Sequence, residues 1–265
     1  MKKALRIIWL ALVLLFIYVP ILVLAVYSFT DASMVGAGIG GFSFENYINL
    51  FKNDELRGMI FGTVALAVIC ACISTVLATF GAIGSFYSKK VTKTLINTAN
   101  QVPVVNADIV TGFSVCILLI VILRIGKNTF IPLGIGHIVL TAPFVYLSIL
   151  PKLKQMDNSL YEAALDLGAT PAQALFKVVI PQLIPGILSG FMLAITLSLD
   201  DYFITTYTKP STFDTISTYV VNATKGSQTE VKTALWALST LIFVIVVAVV
   251  VVMNVISDRK KGAKK

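Results

Sequence analysis

Charge is what this 265-residue sequence has least of: Asp, Glu, Lys and Arg make up 13% of it, against 57% apolar residues. A soluble domain carries about twice that charge. With a mean hydropathy of +0.89, the composition excludes two soluble domains and predicts one helical bundle in lipid. The single histidine, His137, rules out a multi-His metal cluster and is expected to hydrogen-bond a neighbouring helix. Three cysteines, Cys70, Cys72 and Cys116, fall inside apolar runs, say nothing of disulfides, and are expected to pack as small buried residues. A phosphate-binding G-x-x-x-x-G-K-[ST] loop is missing, because Lys225-Gly226-Ser227 lacks the upstream glycine, so any ATP hydrolysis belongs to another chain. No nucleophile is recognisable as a partner for His137 and no carboxylates form an evident acid/base pair, which leaves no enzyme constellation. Segments of strand period, low-complexity tracts and internal repeats are lacking too, and the architecture expected is all helical.

What is present is a series of apolar runs long enough to cross about 30 Å of hydrocarbon, a distance that takes roughly 20 helical residues. Six spans are predicted, at about 7–29, 58–85, 102–124, 131–150, 178–200 and 234–256. The first begins like a signal peptide, but its apolar run is too long and lacks a small-residue cleavage site, so it is expected to remain as a span. The third is the informative one. Between Asp108 and Arg124 lie only 15 residues, a helix of about 22 Å. Arg124 can snorkel to an interface and the short Asp108 cannot, so the helix is extended back to about Val102 and Asp108 becomes an intramembrane carboxylate. The alternative is a carboxylate that caps the start of its own helix after Pro103.

Lys and Arg divide unevenly between the two sides of these spans, with fourteen of the 21 on the side of both termini. That side is therefore expected to be cytoplasmic. The formal net charge of +8 then needs no nucleic acid, since basic residues beside the membrane account for most of it.

The long inner loop, 151–177, carries the most specific pattern. Ser159-Leu160-Tyr161-Glu162 fits a capping box and should open a helix. Gly168 suits the left-handed residue that closes one, and Thr170-Pro171 suits a restart. A short exposed helix set at an angle to the next is the expected product, marginal in water without a partner.

Glu162-Ala163-Ala164, three residues, Gly168, nine residues and then Val178-Val179-Ile180-Pro181 resembles the E-A-A-x3-G-x9-I-x-L-P signature of bacterial ABC importer permeases. The resemblance extends through Pro20 to Phe29, Ala107-Asp108-Ile109-Val110, Gly136-His137-Ile138, Pro143-Phe144-Val145 and Thr196-Leu197-Ser198-Leu199-Asp200-Asp201. It narrows to spermidine/putrescine importers and their second permease subunit. It implies the binding-protein-dependent (type I) permease fold of six transmembrane helices. It also implies a coupling helix carrying Glu162, Ala163, Ala164 and Gly168. The implied partners are a second homologous permease, two ATP-binding subunits that hold ATP and Mg, and an extracytoplasmic substrate-binding protein. This chain would carry no cofactor, and the implied location is a bacterial inner membrane. Asn46 departs from the family, which often has an aromatic residue before Tyr47.

Asp200 and Asp201 end an uncharged span, where the helix dipole disfavours anions and adjacent like charges repel. Such a pair asks for a cation, or else marks an ordinary acidic helix end in the headgroup layer. A polyamine, with ammonium groups separated by methylenes, suits spaced carboxylates and aromatic walls such as Tyr202, Phe203 and Tyr47. The expected substrate path takes Asp108, Ser198, Asp200, Asp201 and Tyr47, and the resemblance associates Asp200 and Asp201 with polyamine passage. Gly186 and Gly190 form a small-x-x-x-small pair for a close helix crossing, and Pro181 and Pro185 mark expected kinks. Two alternatives stay open: an ABC permease for another small solute, and an ion-coupled secondary carrier, although neither paired broken helices nor an inverted repeat is visible.

Overall fold

A computed structural model describes residues 2–32, 40–157, 159–225, 234–244 and 247. Among these residues the chain is helical apart from turns and one antiparallel bridge between Thr30 and Phe42. It divides into two compact units, residues 1–58 with 220–265, and residues 59–219.

The first unit opens with α1 (Lys2–Ser28), whose apolar run from Arg6 to Ser28 is 23 residues long. At about 1.5 Å per residue it reaches roughly 34 Å, enough to cross a bilayer. The short α2 (Glu45–Lys52) follows, and Asn53 links it directly to α3 (Asp54–Tyr87). The Asn53 side-chain oxygen accepts the amides of Glu55 at 2.9 Å and Leu56 at 3.2 Å, which closes the start of α3. A further apolar helix, α12 (Ala234–Val244), packs Trp236 edge-on to Tyr27 of α1 at 5.7 Å. Apart from Val247, the rest of the sixth predicted span lies outside the described residues.

The second unit is built on α3, α6 (Ile131–Gln155) and α9 (Ile180–Asp200). Ala71, Ala78 and Ile83 of α3, Val145 and Ile149 of α6, and Leu183 and Ala194 of α9 share one buried cluster. Small residues set the spacing. A β-carbon on Gly190 would stand 2.9 Å from Val145 Cγ1 and 3.1 Å from Val145 Cα, so the predicted close crossing is between α9 and α6. Between α3 and α6, Ser74 Oγ lies 2.6 Å from Thr141 Oγ1. These two hydroxyls satisfy each other inside the apolar bundle. Cys70 is buried, but Cys72 points outward from α3, against the expectation that all three cysteines pack inside.

One expectation is corrected. The predicted single helix over 102–124 is instead α4 (Lys90–Val105) and α5 (Asp108–Cys116), inclined at 106° across extended Asn106 and Ala107. The reason is chemical: Asn is poor in a helix interior, and Asp belongs in a first turn, where the dipole favours its charge. Asn106 Nδ2 donates to Thr111 Oγ1 at 3.2 Å across the break. Helix α5 runs on as a π-helical stretch, Ile117–Ile122, and ends at Arg124 in a left-handed conformation, φ 53°.

The connection after Asp200 carries two short helices, α10 (Phe203–Thr208) and α11 (Ile216–Lys225). Pro181 lacks the N–H that an α-helix needs, and the chain passes through the π-helical segment Leu175–Val179 just before it.

Candidate functional site

His137 sits in the second turn of α6 with no exposed surface. Gly136 beside it lets α10 approach, since a β-carbon there would meet Ile204 Cγ2 at 2.6 Å. The other side of α10 packs on α5, where a β-carbon on Gly112 would lie 2.9 Å from Ile204 Cα. Glycine on both flanking helices therefore makes the slot that α10 fills.

Asp201 starts α10. Its carboxylate accepts the amides of Ile204 at 3.2 Å and Thr205 at 2.7 Å, and the Thr205 hydroxyl donates to it at 2.7 Å. His137 Nε2 lies 3.0 Å from Thr205 Oγ1 and Nδ1 lies 2.7 Å from Ser198 Oγ. Counting protons assigns the donors. Thr205 has one hydroxyl hydrogen and gives it to Asp201, so Nε2 must carry a proton and donate to Thr205. In a neutral ring Nδ1 is then an acceptor and takes the Ser198 hydrogen. Every group from Ser198 through His137 and Thr205 to Asp201 is satisfied, with one hydrogen at each contact. The carboxylate itself is 3.9 Å from Nε2, and Thr205 bridges the two.

The predicted path residues therefore fare differently. Ser198 and Asp201 are buried and joined through His137. Asp200, the residue before Asp201, is exposed, and so is Asp108 at the start of α5. Asp108 thus occupies the alternative place that its sequence context allowed, the first turn of its own helix. Tyr202 and Phe203 meet edge to face at 5.3 Å. Tyr47 belongs to the other unit, where its ring packs on Phe29 at 5.0 Å and its hydroxyl lies 3.0 Å from Ser28 Oγ. Asn46, which departs from the resembling family, is buried and donates to the carbonyls of Ser28 at 3.2 Å and Thr30 at 2.9 Å, tying α2 to the end of α1.

His137 meets the expectation of a hydrogen bond to a neighbouring helix, whereas Thr205 escaped the sequence reading. The signal was there: Asp201 followed by Ile204-Thr205 is a carboxylate three and four residues before free amides, the spacing of a helix start.

The pattern in loop 151–177 folds as a separate device. Helix α7 (Ser159–Asp166) presents Glu162 and Ala163 to solvent and leaves Ala164 half-buried. Its start differs from the predicted capping box. Ser159 is already helical and Asp157 Oδ1 accepts its amide at 3.0 Å, which holds the Asp157 carboxyl below its ordinary value. At the other end Gly168 has φ +83°, its amide donates to Leu165 O, and that of Ala169 donates to Ala164 O. These two bonds are the Schellman closure. The capping box occurs at the restart: Thr170 Oγ1 accepts the Gln173 amide, and Gln173 Oε1 accepts that of Thr170. It opens α8 (Pro171–Ala174), which leads into α9. Half-buried Tyr161 packs on the exposed Tyr87 at 5.3 Å, while Leu167 at the tip is 89% exposed.

Comparison with known proteins agrees with this architecture. The chain is 30% identical over 247 residues to the putrescine transport system permease protein PotI of Escherichia coli K12, covering 89% of this chain and 85% of that one. It is 28% identical to the spermidine/putrescine transport system permease protein PotC of Haemophilus influenzae, over 92% and 93% of the two chains. Among solved structures, a bacterial ABC transporter for import of the acidic polysaccharide alginate matches with TM-score 0.68 at 16% identity, over 94% of this chain and 95% of that one. An amino acid ABC transporter solved with histidines matches with TM-score 0.51 at 19% identity, over 77% and 94%. Residues 74–262 match the family described as binding-protein-dependent transport system inner membrane component, and the chain belongs to that family.

Proposed function

We propose that this chain is a permease subunit of an ATP-driven importer of polyamines, putrescine or spermidine, working by alternating access in a bacterial inner membrane. The observation that carries the reading is the similarity, over almost the whole length of both chains, to permeases named for those two solutes. In this reading it pairs with a second, similar permease, two ATP-binding subunits that hold ATP and Mg, and an extracytoplasmic binding protein. Both termini face the cytoplasm, in keeping with the excess of Lys and Arg on that side.

The coupling surface is Glu162, Ala163, Ala164 and the Gly168 turn. Small residues allow a partner close to the α7 backbone, and a two-turn helix gains by being gripped. Closure of the ATP-binding subunits would draw such elements together and open the far side.

For the solute, a desolvated ammonium group needs a carboxylate or an aromatic face in place of water. Asp200 and Asp108 are exposed, and their carboxylates are free of the helix-start bonds that occupy Asp201. Asp200 and Asp108 are accordingly assigned to charge compensation, with Tyr47 as an aromatic wall. Asp201 and Ser198 shape the path through His137. The test is uptake of labelled putrescine and spermidine by the whole importer carrying Asp200→Asn or Asp108→Asn. Reduced uptake with intact assembly is expected, and unchanged uptake in both would overturn the assignment.

A further inference from the structure

Helix α2 has two apolar faces, and the fold uses one. Asn46 and Leu50 are buried, whereas Phe44, Ile48 and Phe51, spaced four and three apart on one stripe, are exposed, Phe51 by 57%. Phe42 extends the stripe and is 74% exposed. Glu45, Asn49 and Lys52 lie together on the polar edge of the same helix. A helix with one apolar and one charged face exposed at once suits a boundary between oil and water.

The depth of that boundary is set by the two spans that α2 joins. Phe29, directly after α1, stacks on Phe42 at 6.1 Å and meets Phe44 edge-on at 5.9 Å, so the exposed rings continue the surface of α1 where its lipid-length apolar run stops. At its other end α2 passes through Asn53 alone into the charged start of α3, where Arg57 pairs with Asp54 at 3.4 Å in solvent. Asn46 holds α2 to the end of α1 by two hydrogen bonds, and Asn53 fixes it to α3. Both ends of α2 are therefore tied to the spans it joins.

We propose that the Phe42, Phe44, Ile48 and Phe51 face of α2 is a lipid-binding surface. It would lie in the headgroup–acyl layer of the leaflet at which α1 ends, the outer one in the orientation proposed above. The chemistry is that of an interfacial helix: aromatic and aliphatic side chains enter the acyl boundary and the Glu45–Lys52 edge stays wet. It anchors the joint between the first two spans, whatever solute the permease carries.

Photocrosslinking in native membranes tests this with a readout separate from transport. The assembled importer carries p-benzoylphenylalanine in place of Phe51, or in place of Asn49 as the polar-edge comparison. Several-fold more phospholipid adduct from position 51 than from position 49 is expected, with no protein crosslink dominating. A dominant protein crosslink at position 51, equal lipid adduct at the two positions, or no lipid adduct at all overturns the proposal.

Discussion

His137 Nδ1 lies 2.7 Å from Ser198 Oγ, so a single buried contact ties the second turn of α6 to the last turn of α9. Replacing Ser198 by Ala leaves a ring nitrogen unpaired in a site with no water access, a loss of about 1–3 kcal/mol. His137→Ala is expected to lose more, because Ser198 and Thr205 are both stranded. Since the two residues share the bond, the double variant should lose less than the sum of the singles. Thermal unfolding of the four proteins in lipid nanodiscs measures the coupling, and strict additivity would show that the contact contributes nothing.

Asp200 and Asp201 are adjacent and chemically identical, yet they should fail differently. Asp201→Asn puts an amide where a carboxylate accepts three hydrogen bonds, and charged acceptors of this kind are worth about 1.5–3 kcal/mol each. Its expected signature is a lowered unfolding midpoint. Asp200→Asn should leave the midpoint in place and lower polyamine uptake alone. Measuring both properties on both variants separates them, and the same pattern for each would contradict the division of roles.

Legibility in the sequence followed the range of the interaction responsible. The long apolar runs could be read because a bilayer demands some 20 residues of one kind. Gly168 could be read because one residue's conformation is a local matter, and Gly186 and Gly190 marked a close crossing before its partner helix was known. The break at Asn106 was missed because a length argument overrode the preference of Asn and Asp for helix ends. The capping box was assigned to Ser159, whereas the structure places it at Thr170, since the Ser-x-x-Glu and Thr-x-x-Gln patterns are equal as sequence and only the fold selects one. The buried network around His137 was the least legible part: Thr205 lies 68 residues away, and nothing along the chain announces a contact of that range.

Gly190 and Gly134 make a controlled pair on the facing helices. A β-carbon at 190 would press on the Val145 backbone at 3.1 Å, whereas at 134 it would meet nothing within 4 Å. Gly190→Ala should push α9 from α6 and lose about 1–3 kcal/mol, the usual effect of overpacking. Gly134→Ala should be neutral or gain up to about 1 kcal/mol from helix propensity. Unfolding midpoints in nanodiscs check both, and equal effects would mean that the crossing is looser than the structure shows.

The turn at Gly168 offers a test of coupling that leaves the bundle untouched. No atom stands within 4 Å of a β-carbon there, so Gly168→Ala is penalised only by its φ of +83°, a cost of roughly 1–2 kcal/mol for an L-residue in left-handed backbone. Asn tolerates that region better and should be the milder change. The turn sets the angle between α7 and the chain entering α9. Its loss should therefore weaken capture of the ATP-binding subunits, or the rise in their hydrolysis on solute delivery, more than it lowers thermal stability. Copurification and ATPase activity should rank Gly above Asn above Ala. If Ala matches Gly in both assays while uptake is also unchanged, the turn is a packing detail and the surface gripped by the ATP-binding subunits lies elsewhere on the chain.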